Sequence, residues 1–306
     1  MKILVATEKP FAAAAVNGIK EIGQTAGHEV VLLEKYTSPE QLVKAVADAD
    51  ALIVRSDKVT REVVDAAKSL KIVVRAGAGY DNICLDACTQ RGIVVMNTPG
   101  QNSNAVAELA IAMMIYMSRN CFTPGTGSEI RGKRLGIQAY GNVGRLVAGK
   151  ARAMGMEVTA FDPFVDSSVM EADGVVPATS AEQMYSECNF ISLHIPATPQ
   201  TRESIGYDLL TRMPQGGCLV NTARKEVINE AELDKALTDR TDLKYITDIA
   251  AVHQAELEEK FGKRVFATPK KMGAETAEAN INAGLAAARQ IADFFATGNR
   301  RFQVNK

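Results

Sequence analysis

The sequence predicts an α/β protein of two doubly wound domains, each built on a parallel sheet, and three observations predict it. At 306 residues the chain exceeds one average domain. Short β-branched runs alternate with helical patterns from end to end, and the runs are continuously apolar, as in sheets covered on both faces. One segment, RLGIQAYGNVGRLVAGKARAMGMEVTAFDP, reads as strand, tight glycine turn, helix and strand.

The expected strands are KILVA, EVVLLE, ALIVRS, KIVVRA and GIVVMN, followed by RLGIQA, EVTAFD, FISLHI, GCLVNT, LKYITD and RVFATP. Between the two sets the chain breaks near Asn97 to Gln101, and a long apolar helix follows, SNAVAELAIAMMIYMSRN, with Ser103 or Asn102 as its N-cap. Because it is apolar on more than one face, this helix is expected either to pack against another domain or subunit or to be buried within its own domain. After the last strand, ETAEANINAGLAAARQIADFFATGN forms a second long helix capped by Gly298. Two long helices bracketing one domain imply that the chain leaves its first domain, builds the second, and returns. The expected division is 1–98 with 280–306, and 99–279.

Composition narrows the function. Apolar residues are 46 % and charged residues 23 %, which leaves no room for a large disordered tail. The net charge of -1, from 35 basic and 36 acidic side chains spread along the chain, points to neither nucleic acid nor a membrane surface. MKILVATEKP is too short in apolar residues for a secretory leader, and the expected setting is cytoplasmic. Five scattered cysteines (Cys84, Cys88, Cys121, Cys188, Cys218) suit a reducing compartment and lack zinc-site partners, so no metal is expected.

In the glycine turn Tyr140, Gly141, Asn142, Val143 and Gly144 lie where a pyrophosphate approaches a helix N-terminus: Gly141 admits the anion, and Gly144 lets the helix pack on the strand. Asp162, 18 residues after Gly144, closes the second strand, where a carboxylate accepts from ribose hydroxyls and repels a 2′-phosphate, favouring NAD over NADP. Ala139 stands where the first glycine of GxGxxG belongs. Its methyl group is tolerable only if the residue keeps a negative φ.

Three later segments sit at strand ends: VNTARKEVINEAEL with Arg224, KYITDIAAVHQAELEE with Asp248 and Glu256, and ATPKKMGAETAEAN with Lys270. With these, and with RAGAGYDNI, VMNTPGQNS, AYGNVG and NTAR followed by EVIxExxL, nearly the whole chain resembles the D-isomer-specific 2-hydroxy-acid dehydrogenases, and among them the short-form phosphoglycerate dehydrogenases. The resemblance implies a flavodoxin-like substrate domain (1–98 and 280–306) and a Rossmann NAD-binding domain (99–279). It implies that Arg224 holds the substrate carboxylate, as a planar, always-charged fork suits. It gives Asp248 the nicotinamide amide, and it places Ala78, Ile195, Thr222 and Ala223 along the cofactor. The family's histidine follows a Thr-Pro pair, whereas Lys270 follows Thr268-Pro269 here. Lysine can take the hydroxyl proton only as its free amine, a form that burial beneath the nicotinamide, Arg224 and the adjacent Lys271 would all favour.

None of the three histidines stands in for the missing one: His28 precedes an early strand, His194 ends FISLHIP, and His253 falls where the family's acidic partner usually sits. Glu256 is the first choice as the carboxylate that orients Lys270, with His253 as the substitute. By resemblance, Arg55, Ser56 and Lys58 in RSDKVT and Arg75 bind a substrate phosphate, while Gly77, Gly79, Asn102 and Ser103 line the same cleft. The implied reaction is oxidation of D-3-phosphoglycerate to 3-phosphohydroxypyruvate with NAD, the first step toward serine, by a homodimer. Two alternatives stay open: another 2-hydroxy acid, such as glyoxylate or hydroxypyruvate, or a non-catalytic NAD-responsive binding protein.

Overall fold

The computed structural model describes residues 1–305, and the chain divides into two compact units. Unit 1 comprises Met1–Asn102 and the segment from Glu275 onward, and unit 2 is Ser103–Ala274. The boundaries expected at 98/99 and 279/280 therefore move by a few residues. The second of these would have cut a continuous helix, whose first turn is fixed by the Thr276 side chain accepting from the Ala279 N–H at 3.1 Å.

Unit 1 holds a five-stranded parallel sheet of β1 (Lys2–Thr7), β2 (Glu29–Glu34), β3 (Ala51–Val54), β4 (Ile72–Arg75) and β5 (Val94–Asn97), in the order β2-β1-β3-β4-β5. The register aligns Ile3, Ala51, Ile72 and Val94 across four strands, and the next row aligns Leu4, Leu52, Val73 and Val95. Successive side chains point to opposite faces, so the two rows serve two cores. The first row packs with α1 (Ala13–Thr25) and α12 (Ala277–Thr297). The second packs with α2 (Pro39–Ala45), α3 (Arg61–Ala66) and α4 (Leu85–Gln90). Continuously apolar strands are what two covered faces require. Helix α12 stops at Gly298, whose left-handed φ of 75° lets its N–H reach the Phe294 carbonyl at 2.9 Å.

Unit 2 holds a seven-stranded parallel sheet in the order β12-β11-β10-β9-β6-β7-β8. Its strands are β6 (Arg134–Gln138), β7 (Glu157–Phe161), β8 (Val176–Pro177), β9 (Phe190–Leu193), β10 (Cys218–Asn221), β11 (Lys244–Thr247) and β12 (Val265–Ala267). The row Leu135, Phe190 and Cys218 faces α5 (Ser103–Ser118) and α6 (Asn142–Ala153). The row Ile191, Leu219, Tyr245 and Val265 faces α8 (Ala181–Glu187), α9 (Tyr207–Arg212) and α10 (Glu230–Asp239), while Met170 of α7 (Ser167–Ala172) joins the opposite core. The two-residue edge strand β8 is absent from the eleven expected, since two residues ending in proline carry no strand signal. Helix α5 packs inside unit 2 on α6, β10 and β11, which accounts for its buried Ala107, Ala110, Met114 and Met117.

Chain order sets the functional end of unit 2. The strands run outward from β6 through β7 to β8, then cross back to β9 on the other side of β6. The carboxyl ends of β6 and β9 therefore flank a topological switch point, where open α/β sheets bind ligands.

Candidate functional site

At the switch point the β6–α6 turn runs from Gln138 to Gly144. Ala139 has φ of +77°, so the negative φ expected of it is not found. An alanine there costs on the order of 1 kcal/mol, and neighbouring contacts hold it. Its N–H donates to the Phe161 carbonyl at 2.9 Å, and the Tyr140 N–H donates to the Asp162 carboxylate at 2.8 Å. Gly144 is obligatory for a different reason: a Cβ there would lie 2.3 Å from the Ala139 carbonyl oxygen. Above Gly141 the space is open, with no atom within 4 Å of where a Cβ would stand. Asn142 and Gly141 are exposed, Val143 is half-buried, and Tyr140 is buried with its hydroxyl donating to Asp173 at 2.9 Å.

Asp162 also accepts from the Phe164 N–H at 2.9 Å, which fixes its carboxylate at the end of β7. Across the crevice, β9 is followed by His194 and the buried Ile195. The His194 ring nitrogen Nε2 lies 2.9 Å from Ser192 Oγ, and burial pulls the imidazole pKa down to about 4, so it is neutral at neutral pH.

Beyond β9, the ends of β10 and β11 are tied together. Thr247 Oγ1 donates to the Asn221 carbonyl at 2.8 Å, and Asn221 holds its own loop by accepting from the Ala223 N–H and donating to the Arg224 carbonyl. Arg224 is half-buried, with its guanidinium donating to the Ala223 carbonyl at 2.8 Å. Asp248 is fully buried; Oδ2 accepts from the Gly273 N–H at 2.8 Å, while Oδ1 has no partner. Thr222 Oγ1 is likewise buried and unpaired. Buried polar atoms without partners are rare and call for an explanation, which a ligand that completes the set would supply. The open space over Gly141, the fixed Asp162 carboxylate and these two orphaned oxygens fit a dinucleotide.

Two expectations are corrected. Lys270 is exposed rather than buried, and its carbonyl accepts from Thr268 Oγ1 at 2.7 Å. Glu256 does not engage it: on α11 (Gln254–Phe261) its carboxylate lies 3.4 Å from His253 Nδ1, with side chains 79 % and 63 % exposed. The two candidates to orient Lys270 thus partner each other, and among the described residues neither pairs with the lysine. Both line a surface groove of about 670 Å³ with Arg202, Lys225 and Asp234.

In unit 1 the basic residues stand at the carboxyl ends of β3 and β4. Arg55 and Arg75 are half-buried, and Ser56 and Lys58 are exposed. Arg75 Nε donates to the Arg55 carbonyl at 3.0 Å, joining the two loops. Gly77 has a φ of 152°, which favours glycine, and a Cβ there would displace the Arg75 guanidinium. Ala78 is exposed, its carbonyl accepting from Asn97 Nδ2 at 2.6 Å, and Gly79 is half-buried. Asn102 closes unit 1, and Ser103 opens unit 2 as the first residue of α5.

One organiser was not foreseen. Asp57, buried inside the RSDKVT run, accepts from the Glu8 N–H at 2.7 Å, the Tyr36 hydroxyl at 2.8 Å and the Arg55 N–H at 3.2 Å. Burial, then this hydrogen bond, holds the Tyr36 phenol protonated far above its usual range. No local pattern distinguishes such an aspartate from a solvated one.

Comparison with known proteins agrees with this architecture. The model of the D-isomer specific 2-hydroxyacid dehydrogenase catalytic domain matches residues 5–305. A crystal structure of NAD⁺-bound 3-phosphoglycerate dehydrogenase from Entamoeba histolytica is 51 % identical, with a TM-score of 0.88, covering 100 % of this chain and 99 % of that one. The D-3-phosphoglycerate dehydrogenase of Methanocaldococcus jannaschii is 34 % identical over 95 % of this chain but 57 % of its own length, so the chain spans little more than half of that relative. A hydroxypyruvate reductase of Thermotoga maritima is 34 % identical over 86 % of this chain and 90 % of its own. The chain belongs to the D-isomer specific 2-hydroxyacid dehydrogenase family.

Proposed function

We propose that the protein oxidises D-3-phosphoglycerate to 3-phosphohydroxypyruvate with NAD, the first step toward serine. The observation that carries the substrate is the paired basic loops at the ends of β3 and β4, where Arg55 and Arg75 are held by backbone carbonyls and shaped glycine. The identity to the Entamoeba histolytica enzyme along the whole chain supports the same reading.

NAD, when bound, supplies the acceptor for the hydride that leaves C2. Unit 2 contributes the groups that hold it. The turn at Gly141 and the N-terminus of α6 would receive the pyrophosphate, Asp162 the adenosine ribose, and the unpaired Oδ1 of Asp248 the nicotinamide amide. Arg224 fixes the substrate carboxylate and draws charge from the C2 oxygen, so the developing carbonyl is stabilised as the hydride departs. Lys270, at the position that follows Thr268-Pro269, takes the C2 hydroxyl proton. The test is NAD reduction with D-3-phosphoglycerate, with turnover that rises as pH increases. A Lys270→Ala protein should lose about 10²–10⁴-fold in kcat, the usual weight of a general base; undiminished turnover removes the lysine from the mechanism.

The Thermotoga maritima relative, matched along nearly its whole length, supports a second reading in which the acid is hydroxypyruvate or a similar unphosphorylated compound. A cytoplasmic homodimer accompanies either reading. Sedimentation velocity tests the oligomeric state.

A further inference from the structure

Arg55 is held more firmly than an arginine at a strand end needs to be. Its N–H donates to Asp57, and its carbonyl accepts from Arg75 Nε at 3.0 Å and Asn82 Nδ2 at 3.3 Å. The guanidinium is gripped separately. Its carbon sits 5.2 Å from the centre of the Phe11 ring, Nη1 donates to the Lys9 carbonyl at 3.4 Å, and Nη2 donates to Oδ1 of Asn280. Phe11 is itself buried in the core beneath α12, so this platform is rigid. Asn280, in the first turn of α12, is the one side chain among the described residues that hydrogen-bonds the guanidinium, and it comes from 225 positions away in sequence.

An amide at this place differs from a carboxylate in one decisive respect. It accepts a hydrogen bond from Arg55 and leaves the full positive charge available, whereas an aspartate would form an ion pair and neutralise it. We infer that Asn280 is a positioning residue that aims the Arg55 guanidinium for a dianionic phosphoester while keeping its charge unspent. The inference rests on the phosphate reading of Arg55 proposed above. It adds a specificity determinant on α12 that no motif around Arg55 contains.

The experiment is steady-state kinetics with D-3-phosphoglycerate and, in parallel, D-glycerate, on the wild type, Arg55→Ala, Asn280→Ala, Asn280→Gln and Asn280→Asp proteins. Melting midpoints show that each is folded. Arg55→Ala should raise KM for the phosphorylated acid about 10- to 100-fold, the weight of one charge-assisted hydrogen bond, and leave D-glycerate within about 3-fold. Asn280→Ala should raise it about 3- to 10-fold, Asn280→Gln less than Asn280→Ala, and Asn280→Asp more than either, with kcat within about 3-fold throughout. Asn280→Asp with an unchanged KM, beside a large rise for Arg55→Ala, overturns the role of Asn280 and leaves the phosphate reading standing. An Arg55→Ala protein with no preference lost between the two acids overturns both.

Discussion

Two glycines on helix α6, Gly144 and Gly149, are five residues apart, and the same substitution should move stability in opposite directions. At Gly149 a new Cβ meets nothing within 4 Å, so Gly149→Ala gains helix propensity and loses nothing in packing. The gain is about 1 kcal/mol. At Gly144 the same propensity gain is outweighed. A Cβ would stand 2.3 Å from the Ala139 carbonyl oxygen and 3.1 Å from Ile137 Cγ2, so the helix start or the turn must retreat by roughly 1 Å. Overpacking of that size costs about 3 kcal/mol, which leaves Gly144→Ala about 2 kcal/mol less stable than wild type. With about 2–4 °C per kcal/mol for a unit of this size, Gly149→Ala should melt 2–4 °C higher and Gly144→Ala 4–8 °C lower. Differential scanning calorimetry measures both, and calorimetric titration with NAD should show weakened binding for Gly144→Ala alone, because the displaced segment is the turn that receives the pyrophosphate. Two alanine variants melting within 2 °C of each other would refute the close-approach argument.

Two further outcomes follow from buried polar groups. His194 is neutral in the folded protein down to about 4, whereas an unfolded histidine takes its proton near 6.5, so the unfolded state binds more protons between those values. Stability should be full above pH 6.5 and fall by up to about 3 kcal/mol on acidification to pH 4, and urea midpoints for His194→Asn across this range should show a flatter slope. Asn305, buried at the edge of unit 1, accepts from the Val95 N–H at 2.7 Å and donates to Thr89 Oγ1 and the Ile93 carbonyl. Asn305→Ala strands these groups and should cost about 2–4 kcal/mol by chemical denaturation; a change below 0.5 kcal/mol would mean that water replaces the amide.

What the sequence disclosed and what it concealed divide along a physical line. Eleven strands were visible because a strand covered on both faces must be apolar throughout, and runs such as ALIV and IVVR can hardly be anything else. The glycine turn was visible because a close approach leaves glycine as its mark, as at Gly144. The conformation of Ala139 was not. The residue type argues against a positive φ, and the cause lies in hydrogen bonds to Phe161 and Asp162 that exist only once β6 and β7 are paired. Asp57 and Asn280 were concealed for the same reason, since their partners are 49 and 225 positions distant. Glu256 lies one helical turn from His253, and on helix α11 its carboxylate turns to that residue instead of to Lys270, a pairing that depends on where the helix begins.

The return of α12 to unit 1 imposes an order on synthesis. Ribosomes release Met1–Asn102 first, but the face of its sheet bearing Ile3, Ile53, Val74 and Met96 is finished by Ala283, Ala287 and Ile291. Roughly 170 residues of unit 2 must be translated in between, a delay of about 10–35 s at ordinary elongation rates. Unit 2, contiguous in the chain, can close during that interval. The N-terminal sheet meanwhile carries a sticky, half-clad surface through much of translation, which makes it the part of the nascent protein most in need of a chaperone.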